Sequence, residues 1–211
     1  MKTTIGIVDD HLLFAKALGL MLNSFNDYDV IIEASNGKDL QEKLQRLKMP
    51  PSIMLIDVNM PVMNGLETAK WLHNYHPSMR LVALSMNDKD HIIIDMIRSG
   101  CCAYLLKETH PDELEKALQQ INATGYYNAD ASKTHLRDLA DEEKETVLIT
   151  EREKKFLQLA CSDLTYNEIA EKLSLSERTI DGYRETLFRK LNVHSRVGLA
   201  LESIRRGLVT L

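Results

Sequence analysis

The chain has 211 residues, of which 44% are hydrophobic and 27% are charged, a composition typical of a globular protein with one large domain or two modest ones. No window approaches the roughly 18 apolar residues that a membrane-spanning helix needs, and the apolar part of the N-terminus is too short for a secretory signal. The three cysteines form neither an even disulfide framework nor a metal-ligand spacing, which favours a reducing compartment. We therefore expect a cytoplasmic protein that does not bind membranes.

The formal net charge of −5 is unevenly distributed along the chain. Residues 150–211 contain 11 Lys and Arg against 9 Asp and Glu, a balance of +2, so the rest of the chain carries −7. This asymmetry favours an acidic, cation-binding first part and a mildly basic, nucleic-acid-binding second part. Because +2 is small for a DNA-binding domain, we expect a dimer or a focused basic patch to supply the affinity.

Strand patterns and helix patterns alternate through the first half of the chain. The apolar runs predict strands at 4–8, 30–32, 53–56, 81–84 and 104–106. Helical spacing predicts helices at 11–22, 37–47, 65–75, 88–99 and 111–123. Five strands alternating with five helices predict an α/β fold with a five-stranded, doubly wound parallel sheet of the flavodoxin-like type, with helices on both faces.

The pattern loosens after about residue 122, and the segment 128–145 is polar with sparse apolar positions. We predict a first domain at 1–124, a linker at 125–145 and a small all-α domain at 146–211. Thr150 and Glu153 have the spacing of a capping box, and Ser176 is a suitable N-cap. Four helices are predicted in the second domain, at 151–160, 165–173, 177–191 and 195–206, and the middle two form a helix-turn-helix.

Reactive polar residues follow four of the predicted strands. Asp9 and Asp10 come after the first strand, Asp57 after the third, Ser85 after the fourth and Lys107 after the fifth. In an open parallel sheet, ligands bind outside the carboxyl ends of the strands, so these side chains should share one crevice. Carboxylates bind hard divalent cations, while a hydroxyl and an ammonium hold anionic oxygens. The combination favours transfer of a phosphoryl group to a carboxylate in the presence of Mg²⁺.

The three acids among these residues could also have purely structural roles. Asp9 and Asp10 are suited to be a helix N-cap and a first-turn acid, and Asp57 could be an exposed turn residue before Met60. His11 directly follows the acidic pair. Its oxygen-rich neighbours favour Mg²⁺ over zinc, so we assign His11 no role as a ligand or base.

Four motifs in this order resemble the receiver domain of bacterial two-component response regulators. They are Val-Asp-Asp-His at 8–11, Leu-Ile-Asp-Val-Asn-Met-Pro-Val-Met-Asn-Gly at 55–65, Ala-Leu-Ser-Met at 83–86 and Tyr-Leu-Leu-Lys at 104–107. The C-terminal segment resembles the LuxR-type helix-turn-helix. Together they make the chain similar to a NarL/FixJ-type response regulator over nearly its whole length apart from the linker.

The resemblance implies a role for each residue of the crevice. Asp57 would accept the phosphoryl group from a cognate histidine kinase, with Ser85 and Lys107 contacting phosphoryl oxygens. Mg²⁺ would be the cofactor, and its ligands would be Asp9, Asp10, Asp57 and the backbone carbonyl of Asn59. Ser85 and Tyr104 would form the switch that responds to phosphorylation, Ser85 moving towards the phosphoryl group and Tyr104 filling the space that it leaves.

The predicted helix at 177–191 would enter the major groove of double-stranded DNA with its N-terminal residues. Ile180, Leu187 and Leu191 recur on one face and should pack inward. The other faces carry the candidate DNA contacts Arg178, Thr179, Asp181, Gly182, Arg184, Arg189 and Lys190. Among these, Arg184 could pair with guanine and the other cations could contact phosphates.

The last predicted helix has apolar residues in excess of what one small core requires, at Val197, Leu199, Leu201 and Ile204. The resemblance implies that it is a dimerisation helix. The predicted protein is therefore a transcription regulator that forms a homodimer and binds specific DNA when Asp57 is phosphorylated. It is not an enzyme acting on a metabolite, since Asn59 cannot be the general acid that an aspartyl phosphatase needs. At most, it would catalyse its own phosphorylation and dephosphorylation.

An alternative remains open. Family members often carry Lys where this chain has Asp181, and His where it has Tyr183. With Glu185 nearby, the recognition helix presents acids that repel phosphate, although an acid can accept a hydrogen bond from cytosine. The alternative function is a phosphoacceptor signalling protein that acts through protein partners with weak or no DNA binding.

Overall fold

The computed structural model describes residues 2–86, 89–127 and 149–209. The chain forms two compact units, one built around a parallel β-sheet and the other built of helices. Most of the predicted linker and the predicted start of the second domain at residue 146 lie outside the described residues. Within the three described ranges, no helix has the length and apolar character needed to cross a bilayer.

The first unit contains five strands in which every neighbouring pair is parallel. The strands are β1 Thr3–Val8, β2 Tyr28–Ala34, β3 Ile53–Asp57, β4 Arg80–Ser85 and β5 Cys101–Leu106. Their order across the sheet is β2-β1-β3-β4-β5, so the winding direction reverses beside β1 and β3. This order confirms the predicted doubly wound α/β fold and places a crevice at the reversal point.

The two edge strands are longer than predicted. The sequence indicated only three residues each for β2 and β5, whereas the structure gives them seven and six. Their residues alternate between buried and partly exposed positions. The three inner strands are buried almost throughout. Inner parallel strands read as continuous apolar runs because helices cover both faces, and the mixed burial of edge strands shortened the apolar signal.

Helices follow the strands in the predicted order. They are α1 Leu12–Ser24, α2 Gly37–Leu44, α3 Gly65–Tyr75, α4 Asp90–Arg98 and α5 Pro111–Thr124. Helix α2 ends three residues earlier than predicted, because the N–H groups of Arg46 and Leu47 bond to carbonyls three residues back. Such tighter bonds commonly close the last turn of a helix.

The junction between β3 and α3 is compact. Asn64 caps α3 in a capping box with Glu67, each side chain bonding the other's backbone N–H. The N–H of Gly65 donates to the carbonyl of Val58 at 3.0 Å. This bond holds the start of α3 directly against the end of β3, where Asp57 lies.

The second unit consists of four helices that match the predictions to within one residue. They are α6 Glu151–Ala160, α7 Tyr166–Leu173, α8 Glu177–Leu191 and α9 Arg196–Arg205. All four contribute buried side chains to one core, including Phe156, Ile169, Leu187 and Leu199. Ser174 ends α7 in the left-handed conformation with φ 53°. The chain therefore turns sharply between α7 and α8, as in a helix-turn-helix.

Hydroxyl side chains begin every helix of the second unit. Thr150, Thr165, Ser176 and Ser195 each accept a hydrogen bond from the backbone N–H three residues on. The capping box at Thr150 and the cap at Ser176 are thus confirmed. Arg196 adds a link from α9, donating to the backbone carbonyls of Ala160, Ser162 and Leu164.

We expect Gly65→Ala to destabilise the first unit by about 1–3 kcal/mol. A Cβ at this position would overlap the carbonyl oxygen of Asp57 and lie 2.7 Å from the Cα of Val58. Both neighbours are backbone and cannot rotate away. Trp71 in α3 is the protein's single tryptophan, so its fluorescence during urea unfolding measures the effect.

Gly182→Ala is the matched control. A Cβ there meets no atom within 4 Å outside its own helix, among the described residues. Because Gly weakens a helix interior by about 0.5–1 kcal/mol relative to Ala, this change should stabilise the second unit slightly. Equal effects of the two substitutions would contradict the importance of the close approach at Gly65.

Candidate functional site

The carboxyl ends of four adjacent strands bring the predicted crevice residues together. Asp9 follows β1 and is 1% exposed, while Asp57 at the end of β3 is 3% exposed and Ser85 at the end of β4 is fully buried. Lys107 follows β5, and its backbone N–H donates to the carbonyl of Ser85 at 2.8 Å. Asp10 is only half-buried. The sheet therefore assembles side chains that are up to about 100 residues apart in sequence.

The ammonium of Lys107 lies between two buried carboxylates. Its Nζ is 2.7 Å from Oδ2 of Asp9 and 3.0 Å from Oδ2 of Asp57, and the Lys107 side chain is 5% exposed. The ring of Phe14 lies 4.9 Å from the same nitrogen. A cation enclosed in this way offsets two charges that would otherwise be destabilising to bury.

Three carboxylate oxygens of the crevice are nevertheless incompletely satisfied. Oδ2 of Asp9, Oδ1 of Asp10 and Oδ2 of Asp57 are inaccessible to solvent and accept no well-aligned hydrogen bond from the described residues. The ion pairs of Lys107 supply charge at short distance without that alignment. Buried oxygens of this kind fit a hard divalent cation, which requires oxygen ligands without a directional proton.

Burial raises the pKa of the Asp57 carboxyl above its usual range. The negative charge of Asp9 raises it further, while the hydrogen bond and positive charge of Lys107 oppose both effects. The backbone N–H of Asn59 approaches Oδ1 of Asp57 at 3.5 Å. Asp57 is therefore a desolvated carboxylate whose ionised form depends on Lys107.

Neither acid of the pair caps α1. The N-cap residue is His11, and no side chain among the described residues bonds the first turn of that helix. Oδ1 of Asp9 instead accepts the backbone N–H of His11 at 2.9 Å. The alternative interpretation of Asp9 and Asp10 as a helix cap and a first-turn acid is thus wrong. Oδ2 of Asp9 and Oδ1 of Asp10 are buried in the crevice instead.

The imidazole of His11 lies in the crevice, although no role for it was predicted from the sequence. Its Nδ1 lies 3.0 Å from Oδ1 of Asp10, 3.2 Å from Oδ1 of Asp9 and 3.7 Å from Oδ2 of Asp57. The same nitrogen is 3.5 Å from Nζ of Lys107. The signal in the sequence was its position directly after two acids at a strand end.

The predicted switch residues lie on neighbouring strands. Ser85 is fully buried at the end of β4, and Tyr104 is half-buried in β5. In the register of these strands, Ser85 pairs with Leu106 and Ala83 pairs with Tyr104. Ser85 and Tyr104 are therefore offset by two residues in the register of these neighbouring strands.

Helix α8 has the predicted inward face and a mixed outward face. Ile180, Leu187 and Leu191 are each no more than 1% exposed, which confirms their packing. Four of the seven candidate DNA contacts, Arg178, Thr179, Gly182 and Arg189, are exposed or half-buried and have no described ionic partner. The hydroxyl of Thr179 is within hydrogen-bond distance of the hydroxyl of Ser176, at 2.8 Å.

The other three candidates are engaged within the second unit. Nη1 of Arg184 pairs with Oδ1 of Asp181 at 3.1 Å, and the guanidinium lies 5.4 Å from the ring of Tyr166. Nζ of Lys190 lies 2.8 Å from both carboxylate oxygens of Glu153. Although burial opposes it, the hydrogen bonds from Lys190 and Thr150 lower the pKa of Glu153. The ammonium of Lys190 therefore stabilises the second unit through its ion pair with Glu153.

The four apolar residues singled out in α9 are buried or half-buried, and none is fully exposed. Leu199 and Leu201 are buried within the chain, and Val197 and Ile204 are half-buried. The prediction that these residues exceed what one small core requires was therefore wrong for Leu199. Leu199 in particular packs in the core shared by all four helices.

We expect Asp57→Asn to raise the free energy of unfolding at pH 7 by about 1–2 kcal/mol in buffer containing a chelator. Because the folded-state pKa of Asp57 lies above its unfolded-state value, the folded protein binds more protons between the two values, and stability falls as pH rises through this window. The gain from Asn should therefore vanish below pH ~4.

Urea unfolding followed by Trp71 fluorescence between pH 4 and 8 measures this difference. Lys107 retains Asp9 as a partner in the variant. Asp112→Asn is the control, since the Asp112 side chain is 81% exposed. A variant no more stable than the wild type at pH 7 would show that the Asp57 carboxylate is not a destabilising charge.

We expect Lys190→Met to destabilise the second unit by about 1–3 kcal/mol, because it leaves the buried carboxylate of Glu153 without its counterion. Arg189→Met, which removes a neighbouring but exposed cation, should change stability by less than about 0.5 kcal/mol. Thermal unfolding of the full chain followed by circular dichroism compares them. Equal stability of the two variants would contradict the structural role of Lys190.

Two family models match the chain, one for each unit. The model of the response regulator receiver domain matches residues 5–119. The model of bacterial regulatory proteins of the luxR family matches residues 147–203. Together they span most of the described residues.

Relatives match over almost their whole length. The chain is 28% identical to the transcriptional regulatory protein DegU of Brevibacillus brevis over 227 aligned residues, covering 99% of this chain and 95% of the relative. It is 31% identical to the nitrate/nitrite response regulator protein NarL of Escherichia coli (strain K12) over 203 aligned residues, covering 94% and 93%.

Solved structures show the same folds. The signal receiver domain of a putative response regulator NarL from Mycobacterium tuberculosis matches with a TM-score of 0.53 and 26% identity, over 58% of this chain and 97% of that chain. The response regulator RcsB in its DNA complex matches with a TM-score of 0.56 and 23% identity over 100% of both chains, a likeness of fold. The chain belongs to the NarL/FixJ-type two-component response regulators, which join a receiver domain to a LuxR-type DNA-binding domain and regulate transcription.

Proposed function

We propose that a cognate histidine kinase phosphorylates this protein on Asp57, and that the modification controls dimerisation and sequence-specific DNA binding. The observation that carries the proposal is the position of Lys107, whose ammonium lies within 3.0 Å of Asp9 and Asp57 in a buried crevice. The proposed domains are the receiver at 1–124, the linker at 125–145 and the DNA-binding domain at 146–211. A protein that acts on genomic DNA in a bacterium works in the cytoplasm.

The phosphoryl transfer uses the Asp57 carboxylate as a nucleophile. One carboxylate oxygen attacks phosphorus, an O–P bond forms, and the N–P bond to the kinase histidine breaks with its electron pair returning to the imidazole. Lys107 keeps Asp57 ionised despite its burial and offers positive charge to a phosphoryl oxygen. The Ser85 hydroxyl contacts another oxygen.

The unsatisfied oxygens of Asp9, Asp10 and Asp57, with the backbone carbonyl of Asn59, would hold Mg²⁺. When bound, this ion neutralises charge on the transferring phosphoryl oxygens. The same arrangement supports self-phosphorylation from a small phosphodonor and self-dephosphorylation by water, with no external metabolite turned over.

Phosphorylation adds roughly −1.5 to −2 charges and strong acceptor oxygens at the end of β3. Lys107 and Ser85 are already joined by a backbone hydrogen bond of 2.8 Å. A phosphoryl group that draws both side chains towards it therefore displaces the ends of β4 and β5 together, with Tyr104 responding in β5. The result is a shift between two existing states of the receiver.

DNA binding through α8 rests on the matching LuxR-type domain. Structures of RcsB are described as DNA complexes, one of them with two RcsB dimers on two parallel DNAs. We infer the same mode for this chain, as a homodimer on double-stranded DNA. Arg178, Thr179 and Arg189 contact phosphates, Gly182 permits close approach, and the pair of Asp181 and Arg184 faces base edges. Among these residues, Lys190 contributes least to phosphate binding, because its ammonium is paired with the carboxylate of Glu153.

The test is selection on a random-duplex library with the full chain. The protein is treated with beryllofluoride or a small phosphodonor in Mg²⁺, beside an Asp57→Ala control. We expect a sequence with two half-sites to be enriched only by the activated wild type, because phosphorylation favours the dimer.

Enrichment by both proteins would keep the DNA-binding function and remove Asp57 from the switch. No enrichment, with Asp57 demonstrably modified, would overturn the DNA-binding proposal. Acyl phosphate on the wild type is verified by intact-protein mass spectrometry, which separates a failure of phosphorylation from a failure of DNA binding.

A further inference from the structure

The acceptor crevice contains a nitrogen donor that phosphoryl transfer does not use. His11, Asp9, Asp10 and Asp57 each place one potential ligand atom so that all four atoms lie within 4.8 Å of one another. Nδ1 of His11 is the nitrogen of this group, and the imidazole is otherwise largely exposed. The acids come from the ends of two strands, while His11 stands at the start of α1.

The spacing of these atoms suits one metal ion. In an octahedral shell with bonds of about 2.1 Å, neighbouring ligand atoms are about 3 Å apart. Nδ1 of His11 lies 3.0 Å from Oδ1 of Asp10 and 3.2 Å from Oδ1 of Asp9. The contact to Oδ1 of Asp9 has the geometry of a hydrogen bond, whereas the contact to Oδ1 of Asp10 does not.

The net charge of the crevice and the incomplete hydrogen bonding of its carboxylates also indicate a divalent cation. The three carboxylates and the ammonium of Lys107 leave a formal charge of −2, which one divalent cation neutralises. Oδ2 of Asp9 and Oδ2 of Asp57 belong to residues that are at least 97% buried, and neither accepts a well-aligned hydrogen bond from the described residues. Both oxygens contact the ammonium of Lys107, and Oδ2 of Asp57 lies 3.7 Å from Nδ1 of His11.

We infer that His11 is a metal ligand which makes this site prefer divalent transition-metal ions, such as Mn²⁺, Co²⁺ and Zn²⁺, over Mg²⁺. Imidazole nitrogen suits borderline ions, whereas Mg²⁺ prefers oxygen ligands alone. Binding replaces the hydrogen bond between Nδ1 and Asp9, and any proton on Nδ1 is released to solvent. The inference rests on the proposed function in placing a cation at the acceptor site, and adds the selectivity of that site.

Calorimetric titration of the full chain with Co²⁺ and with Mg²⁺ tests the inference. We expect His11→Gln to weaken Co²⁺ binding by about tenfold or more and to change Mg²⁺ binding by less than about twofold. His110→Gln is the matched control, since His110 is an exposed N-cap histidine beside an acid, Asp112. Asp57→Asn should weaken both ions, which assigns the binding to this crevice.

A second measurement observes the bond itself. Pulsed electron paramagnetic resonance of bound Mn²⁺ detects a directly coordinated imidazole through its nitrogen coupling. We expect that coupling in the wild type and in His110→Gln, and its loss in His11→Gln. Trp71 fluorescence verifies that each variant is folded.

Three results would overturn the inference. They are equal losses of Co²⁺ and Mg²⁺ affinity in His11→Gln, nitrogen coupling that survives the substitution, or Co²⁺ binding unaffected by Asp57→Asn. If Mg²⁺ supports phosphorylation of the wild type by a small phosphodonor in the same samples, the proposed function stands and the role of His11 alone fails. Absence of both ion binding and phosphorylation would overturn the two together.

Discussion

The placement of one ammonium group between two buried carboxylates is the constraint on which the rest of the receiver depends. Lys107 reaches Asp9 and Asp57 from a third strand end, so the three strands must keep their spacing for the charges to remain compensated. The sheet order supplies that spacing, because β1, β3, β4 and β5 are successive neighbours. Removing the ammonium of Lys107 would leave two buried carboxylates without a counterion, which is strongly destabilising. The ion-paired crevice is thus one of the structural requirements of the first unit.

The fold and the acidic crevice were predictable because their signals are local. Inner strands appear as apolar runs, each ending in a polar residue, and a doubly wound parallel sheet follows from the alternation of strands and helices. The prediction failed at the edges of the sheet. The mixed burial of β2 and β5 made the predicted strands shorter than the observed ones. The prediction also gave no role to His11, because the direction of its imidazole depends on how α1 begins. The caps at Thr150 and Ser176 were predicted correctly, because capping depends on residues three positions apart.

The DNA-binding unit shows where sequence patterns lose information. Arg184 and Lys190 resemble free cations in the sequence, yet Asp181 holds the first and Glu153 holds the second. The first partner is three positions away and on the same helix, whereas the second is 37 residues away on α6. A count of charged residues therefore overstates the positive charge that α8 offers to phosphates. The apolar residues of α9 were misjudged for a related reason, because the size of a core is a tertiary property.

The pair formed by Asp181 and Arg184 has a consequence for how recognition responds to ionic strength. A guanidinium that already has a carboxylate partner adds little net charge to the DNA surface, so it displaces few of the cations that surround the duplex. Counterion displacement is what makes most protein–DNA affinity fall steeply with salt. In the proposed mode of DNA binding, discrimination between base pairs by Asp181 and Arg184 should consequently persist at salt concentrations that weaken the proposed phosphate contacts of Arg178 and Arg189.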